Sequence, residues 1–329
     1  MDINTIANMA GVSRATVSRY LNNGYVSEEK KRRIAEVIQR TGYVPSKKAQ
    51  NLRTGRTNVV GAIIPKINSA SISRMVAGLN DVLAQGGYQI LLANTANVAK
   101  TEVDYLRLFA ETGAVDGIVL SATVLTPEHV EALDALAIPH VILGQRLEGH
   151  RCVYYDDFGA ERDITLFALN SGERPGFIGV TDADQAAGMA RHRGFLAACA
   201  QRGIEPNASA QVQADFSIES GYFACERLLE AYPEVDTVVC ATDRIAAGAM
   251  ACLREYGRRI PEDVQVTGVG DSDIAKVMNP PLTTVNHHYK SSGAEAAHML
   301  LDGLGKEEHS AKEVCMTYEL YARSSTRWG

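Results

Sequence analysis

The chain has 329 residues, 46% hydrophobic and 22% charged, a globular composition long enough for more than one domain. No apolar run approaches the roughly 18 residues of a membrane span, and the amino terminus opens on a polar helix and not on a signal sequence; a cytoplasmic protein with no membrane partner is expected. The formal charge of −6 conceals an uneven division, because residues 1–58 carry eleven Lys+Arg against four Asp+Glu (+7) and the remainder 22 against 35 (−13). A basic segment of this kind supplies phosphate contacts, while an acidic remainder repels DNA and confines binding to one surface.

Residues 3–22, INTIANMAGVSRATVSRYLN, fit a helix-turn-helix. Ile6 and Ala10 recur at i, i+4 on a first short helix, and Val17, Tyr20 and Leu21 at i, i+3, i+4 on a second. Between them Gly11 can take the left-handed turn conformation, Ser13 can cap the second helix, and Ala7 is small enough for a close crossing. The face of the second helix left over by this corner carries Arg14, Ala15, Ser18, Arg19 and Asn22. Arg14 and Arg19 are long enough to reach guanine edges and Ala15 can touch a thymine methyl. Thr5, Ser13, Thr16, Ser18 and Asn22 can bond phosphates. A solvated amphipathic hairpin is the bland alternative, and it leaves the turn chemistry unexplained.

Ser27 can cap a third helix with Glu28 and Glu29 in its first turn and an apolar stripe of Ile34, Val37 and Ile38, stopped by Gly42. Tyr43 can be a core lid or a phosphate contact. SKKAQNLRTGRT, residues 46–57, is too short and polar for a stable helix alone and reads as a linker. From Asn58 onward short apolar strands alternate with amphipathic helices: VVGAIIP, the helix MVAGLNDVLAQGG, then YQILLA, GIVLSA and HVILG, and a second series PGFIGV, TVVCA and VQVTGVG. This alternation predicts two α/β subdomains with parallel sheets and a ligand cleft at the carboxyl ends of their strands.

Six cysteines form no CxxC pair and no cluster with histidine, so buried free thiols are expected and no metal site. His287-His288 reads as a loop pair. GxxxxGK[ST], GxGxxG after a strand, HExxH and GxSxG are all missing, which argues against an enzyme; no catalytic residue and no cofactor are assigned.

The stretch from MDINTIANMAGVSRATVSRYLN through GYVP, the linker and VVGAIIP resembles the amino-terminal segment of the LacI/GalR family of bacterial repressors, and the resemblance continues more loosely to RSST near Gly329. It implies an α/β protein with a three-helix DNA-binding head-piece (1–46), a hinge helix or linker (47–57) and a periplasmic-binding-protein-like core of two doubly wound subdomains (58–329). Ala49, Leu52 and Arg53 match the family's hinge helix, which folds on specific DNA, with Leu52 as the minor-groove wedge. Arg191 matches the arginine that bonds the effector, with a helix-surface ion pair as the alternative. Thr242-Asp243 match the usual asparagine-aspartate position, where Asp243 can equally cap the following helix.

The chain departs from the family where Gly270 replaces an aspartate, leaving Asp271 as the next acid, where Gln145 replaces another, and where Ser71 or Ile72 stands for an aromatic. Lys66 follows the first core strand, either inside the cleft mouth or on its solvated rim. Lys66 and Arg191 together can clamp a dianion, with two repelling carboxylates removed. VYYDDFGA, VVCATDRIAAGA and VTGVGDSD are most similar to trehalose-operon and some sucrose-operon repressors. The expected protein is a homodimer on a pseudo-palindromic double-stranded operator, without a leucine heptad tail to make tetramers, that represses carbohydrate utilisation and is released by a sugar or sugar phosphate, trehalose or sucrose 6-phosphate above others. An activator or a corepressor-dependent regulator has the same sequence features.

Overall fold

The computed structural model describes residues 1–43, 55–304 and 310–327. The contacts divide the chain into two compact units, Met1–Thr57 and Asn58–Gly329.

In the first unit, α1 (Ile3–Ala10), α2 (Arg14–Leu21) and α3 (Glu28–Thr41) enclose Ile6, Ala7, Ala10, Val17, Val26, Ile34 and Val37. The turn follows from its residues. Gly11 sits at φ 62°, and a Cβ there would lie 2.1 Å from the Arg33 guanidinium, which donates to the Gly11 carbonyl at 3.2 Å. Ser13 caps α2 by accepting from the Thr16 amide, and Asp2, not foreseen, caps α1 through the Thr5 amide. Ser27 occupies the cap position of α3 without a side-chain bond, and Gly42 ends that helix in the left-handed conformation. Tyr43 packs against the head core, which favours the lid reading.

The second unit begins with β1 (Val59–Ile64), α4 (Ala70–Gln85), β2 (Gln89–Asn94), α5 (Ala99–Thr112), β3 (Gly117–Leu120), α6 (Pro127–Asp134), β4 (His140–Leu143) and β5 (Arg151–Tyr155). It continues with α7 (Asp157–Ala168), β6 (Pro175–Gly179), α8 (Arg191–Gln201), β7 (Gln211–Gln213), α9 (Ile218–Ala231), β8 (Thr237–Cys240), α10 (Asp243–Glu255) and β9 (Gln265–Val269). It ends with α11 (Asp273–Val277), β10 (Thr283–Asn286), α12 (Tyr289–Gly303), β11 (Lys312–Met316) and β12 (Glu319–Tyr321). One sheet has the order β11-β5-β4-β3-β1-β2 and is parallel throughout; the other, β12-β10-β9-β8-β6-β7, is parallel except for β12. Each order reverses beside its first strand, which is where open sheets leave a crevice for ligands.

The subdomains are not consecutive in sequence. α7 follows a strand of the first sheet yet packs Ala160 and Ile164 on Val269 and Val285 of the second. α12 follows a strand of the second sheet yet buries Ala296, Ala297, Met299 and Leu300 in the core of the first. β11 and β12 divide between the sheets in the same way. Sequence reading placed the apolar central strands but omitted β5, β7, β10, β11 and β12; the last two alternate exposed and half-buried residues at sheet edges. α4 begins five residues before the predicted Met75, capped by Ser69 and burying Ile72. Five cysteines are buried as expected, but Cys315 on edge strand β11 is exposed. No helix among the described residues is long and apolar enough to cross a membrane.

α4 and α12 touch backbone to backbone. A Cβ on Gly78 would lie 1.8 Å from the Lys290 carbonyl, and one on Gly293 would lie 1.9 Å from that of Met75. Gly78→Ala is therefore expected to destabilise the core by about 2–3 kcal/mol through overpacking. Urea unfolding checks this, and an unchanged midpoint would show that the two helices separate without cost.

Candidate functional site

Two surfaces carry the chemistry. On the head, Arg14, Ala15, Arg19 and Asn22 are exposed along one side of α2, with Thr16 and Ser18 half-buried. Among the described residues neither Arg14 nor Arg19 has an ion-pair partner, so both guanidinium groups are available. The smaller polar groups are already engaged: the Thr5 hydroxyl donates to Asp2 at 2.8 Å, the Ser13 and Thr16 hydroxyls are 2.9 Å apart, and the Asn22 amide donates to the Ser18 carbonyl at 2.5 Å. They preorganise the helix ends and present two arginines on a rigid face. Ala49, Leu52 and Arg53, together with the 46/47 boundary, lie outside the described residues.

In the core, a cavity of about 640 Å³ opens at the carboxyl ends of both sheets. Lys66 follows β1, Ser71, Ile72 and Arg74 start α4, Gln145 follows β4, and Thr242 and Asp243 follow β8; all line it. Arg191 enters from a π-helical turn, Gln185–Ala190, whose amino end is capped by Asp184 through the Ala186 and Ala187 amides. Such turns re-aim side chains, and this one brings Arg191 to the cavity wall. Phe216, Tyr155 and Tyr289 supply aromatic surface.

The wall behind Arg191 is a buried charge cluster. Its guanidinium donates to Asp157 Oδ1 from Nε at 2.8 Å, approaches the same atom from Nη2 at 2.6 Å, and donates to the Ala241 carbonyl. Burial by itself would raise the Asp157 carboxyl, but the arginine and the adjacent His287 overcome it and bring it down to about 2. His287, wholly buried with Nε2 3.4 Å from Asp157, is pushed below its ordinary value by burial against the attraction of that carboxylate. Glu161, one helical turn beyond Asp157, is fully buried and makes no hydrogen bond to any described residue. Burial raises it to about 8, with Asp157 adding to the rise and Arg191 opposing it.

Most of the sequence expectations meet in this cavity, with corrections. Arg191 is neither a surface ion pair nor a free cation, since Asp157 already matches its charge. Asp243 does not cap α10; Thr242 does, accepting from the Ile245 amide at 3.2 Å. The Asp243 carboxylate instead accepts from the Ser272 amide and hydroxyl, both at 2.7 Å, and from Thr284 at 2.5 Å. Asp271 does not line the cavity: its carboxylate turns to Arg323 at 2.5 Å. Gln145 does not leave the cavity wall around it free of acid, because its amide donates across the cleft to Asp184 at 2.8 Å, besides the Thr123 carbonyl at 2.9 Å. His287-His288 is not a simple loop pair, since His287 is buried in the cluster. Sequence reading missed Asp157, Asp184, Arg74 and Phe216; an acid at the end of the apolar run in VYYDD was the available signal for the first.

A helix-turn-helix head with free arginines and a separate cleft between two doubly wound subdomains define a ligand-responsive DNA-binding regulator. Residues 2–46 match the family described as bacterial regulatory proteins, lacI family, and residues 167–326 match the periplasmic binding protein-like domain. The sucrose operon repressor of Staphylococcus xylosus is 33% identical over 296 residues, covering 90% of this chain and 91% of that protein. The regulator CelR of Thermobifida fusca is 30% identical over 332 residues, covering 97% and 96%. A solved CelR-cellobiose complex superposes with a TM-score of 0.76 at 29% identity over 99% of both chains. The chain belongs to the LacI family of transcriptional regulators, which are not enzymes.

The orphaned carboxyl generates a pH prediction. An ordinary glutamate ionises near 4.5, whereas folded Glu161 keeps its proton to about 8, so unfolding releases a proton between these values and stability falls as pH rises. The slope is at most about 1.4 kcal/mol per pH unit. Glu161→Gln removes it: the variant matches wild type near pH 4.5 and is the more stable protein at pH 8. Denaturant unfolding across this range checks it, and a difference independent of pH would contradict it.

Proposed function

We propose that the chain represses a carbohydrate-utilisation operon as a homodimer and is released by a carbohydrate effector, favoured as a phosphorylated disaccharide such as trehalose or sucrose 6-phosphate. The observation that carries the effector reading is the charge of the cavity. Lys66, Arg74, Arg191 and Arg244 line it against Asp157, Asp184 and Asp243. With Arg191 matched by Asp157, the cations facing an entering ligand without an ion-paired carboxylate among the described residues are Lys66, Arg74 and Arg244. Its volume lies within the range of small-molecule sites, and aromatic and apolar walls with convergent hydroxyls suit a sugar. The similarity to a sucrose operon repressor and a cellobiose complex supports a disaccharide.

On the DNA side, Arg14 and Arg19 would read base edges, Ala15 a thymine methyl, and Ser18 and Asn22 the backbone, with Leu52 wedging the minor groove between two half-sites. A second copy would cover apolar side chains that a monomer leaves in water, among them Leu91 on edge strand β2 and Phe223 and Tyr256 on α9 and beside α10, each more than 40% exposed.

Arg19→Ala is expected to weaken operator binding by about 1–3 kcal/mol and relax one position of each half-site, as loss of a bidentate base contact does. Gel shifts on the DNA upstream of the gene, set against random DNA, measure this; equal losses on both would make Arg19 a phosphate contact. Lys66→Ala is expected to cost about tenfold in calorimetric affinity for the 6-phosphate, or roughly 1.4 kcal/mol. A wild type that binds the free sugar more tightly than its phosphate would sink the phosphate reading.

A further inference from the structure

Arg74 spans the cleft. It belongs to α4 of the first subdomain, and its guanidinium donates to the carbonyl oxygens of Gly270 at 2.6 Å and Asp271 at 3.3 Å, at the end of β9 in the second. Its Nε donates to the Ala70 carbonyl at 3.1 Å, and its Cζ lies 5.0 Å from the Tyr289 ring centroid. All of these partners are neutral, and no described carboxylate pairs with this guanidinium at the cavity wall. The turn it grips adopts an unusual conformation: Gly270 is at φ 141° and Asp271, a residue with a side chain, at φ 42°. Such a backbone persists where its surroundings fix it. Here the Asp271 carboxylate is held by Arg323, and the next residue, Ser272, is bonded to Asp243 at the start of α10.

We propose that Arg74 is the residue that selects a phosphate in this cavity, and that it does so by exchange. In this structure it latches the Gly270–Asp271 turn across the cleft; a phosphate ester entering the cavity takes the guanidinium over and frees the turn. Bonds from a guanidinium fork to a dianion add the attraction of opposite charges that bonds to a neutral carbonyl lack, and two phosphate oxygens match the fork. A free sugar offers only neutral acceptors and leaves the latch closed. The released turn is joined through Ser272 and Asp243 to α10, so the exchange alters the second subdomain as well as the ligand's own contacts. The Tyr289 ring keeps the guanidinium oriented during the transfer. This inference rests on the phosphate reading of the effector and adds the residue that enforces it.

Calorimetry with trehalose, sucrose and their 6-phosphates on wild type, Arg74→Gln and Arg74→Lys tests it, together with hydrogen exchange at residues 270–272. Wild type is expected to bind one 6-phosphate at least about tenfold more tightly than its free sugar. Arg74→Gln lowers that ratio, with Lys66 holding what remains, and Arg74→Lys restores part of the loss, because an ammonium keeps the charge without the fork. The turn exchanges faster in ligand-free Arg74→Gln and in wild type with the 6-phosphate than in wild type alone. A ratio preserved in Arg74→Gln overturns the role of Arg74 and leaves the phosphate reading standing. A wild type without preference for any phosphate, including one that binds none of the four, overturns both. Exchange at the turn that a bound 6-phosphate does not change overturns the latch.

Discussion

The Asp157–Arg191 pair is the interaction on which the core depends. Asp157 opens α7 directly after the chain leaves the first sheet, and Arg191 opens α8 directly after the π-helical turn; their side chains meet with almost no exposure, 3% and 5%. Arg191 also bonds the carbonyl of Ala241 at the end of β8, so one guanidinium ties together a crossover, a helix start and a strand end. Taking two charges out of water is costly, and removing one partner of such a pair leaves the other uncompensated. The pair therefore fixes the floor of the cavity. Beside it, burial keeps the proton on Glu161 up to about 8 against the attraction of Arg191, and burial pushes His287 below its ordinary value against the attraction of Asp157.

An electroneutral floor moves ligand selection to the walls. Asp184 is tied to Gln145 and to two backbone amides, and burial raises its carboxyl even though those bonds oppose the shift. Asp243 is likewise raised by burial and saturated by Ser272 and Thr284. The carboxylates that line the cavity thus serve the protein's own framework, whereas Lys66, Arg74 and Arg244 keep positive charge that no described acid cancels.

The head was legible almost residue by residue because its determinants are local: a capping hydroxyl, a glycine that must turn left-handed, and apolar spacings within 8–14 residues. The central strands were equally plain as continuous apolar runs. The crossovers were not, because α7 and α12 look like ordinary amphipathic helices and nothing in their periodicity says which sheet they cover. The site divides along the same line. Lys66, Gln145, Arg191 and Thr242, singled out in the sequence, stand at strand or helix ends and line the cavity, while Asp157 lies 34 residues from Arg191 and Gly270 lies 196 from Arg74. Pairings at such separations have no sequence period. Asp271 was misplaced for a related reason, since its partner Arg323 comes 52 residues later.

Among the described residues, bonds from Arg74 to Gly270 and Asp271 and from Gln145 to Asp184 cross the cleft of the core. A ligand shifts a conformational equilibrium only by the difference between its affinities for the two states, and disturbing these bonds is one source of such a difference. A ligand that captures Arg74 exchanges bonds to neutral carbonyls for bonds to an anion, and the gain belongs to the altered state alone. A difference of two or three charge-assisted bonds amounts to a few kcal/mol at most, which falls in the usual range of allosteric coupling, about 1–3 kcal/mol. The same coupling acts in reverse: whatever factor a ligand in the cavity changes in DNA affinity, DNA changes in the ligand's affinity.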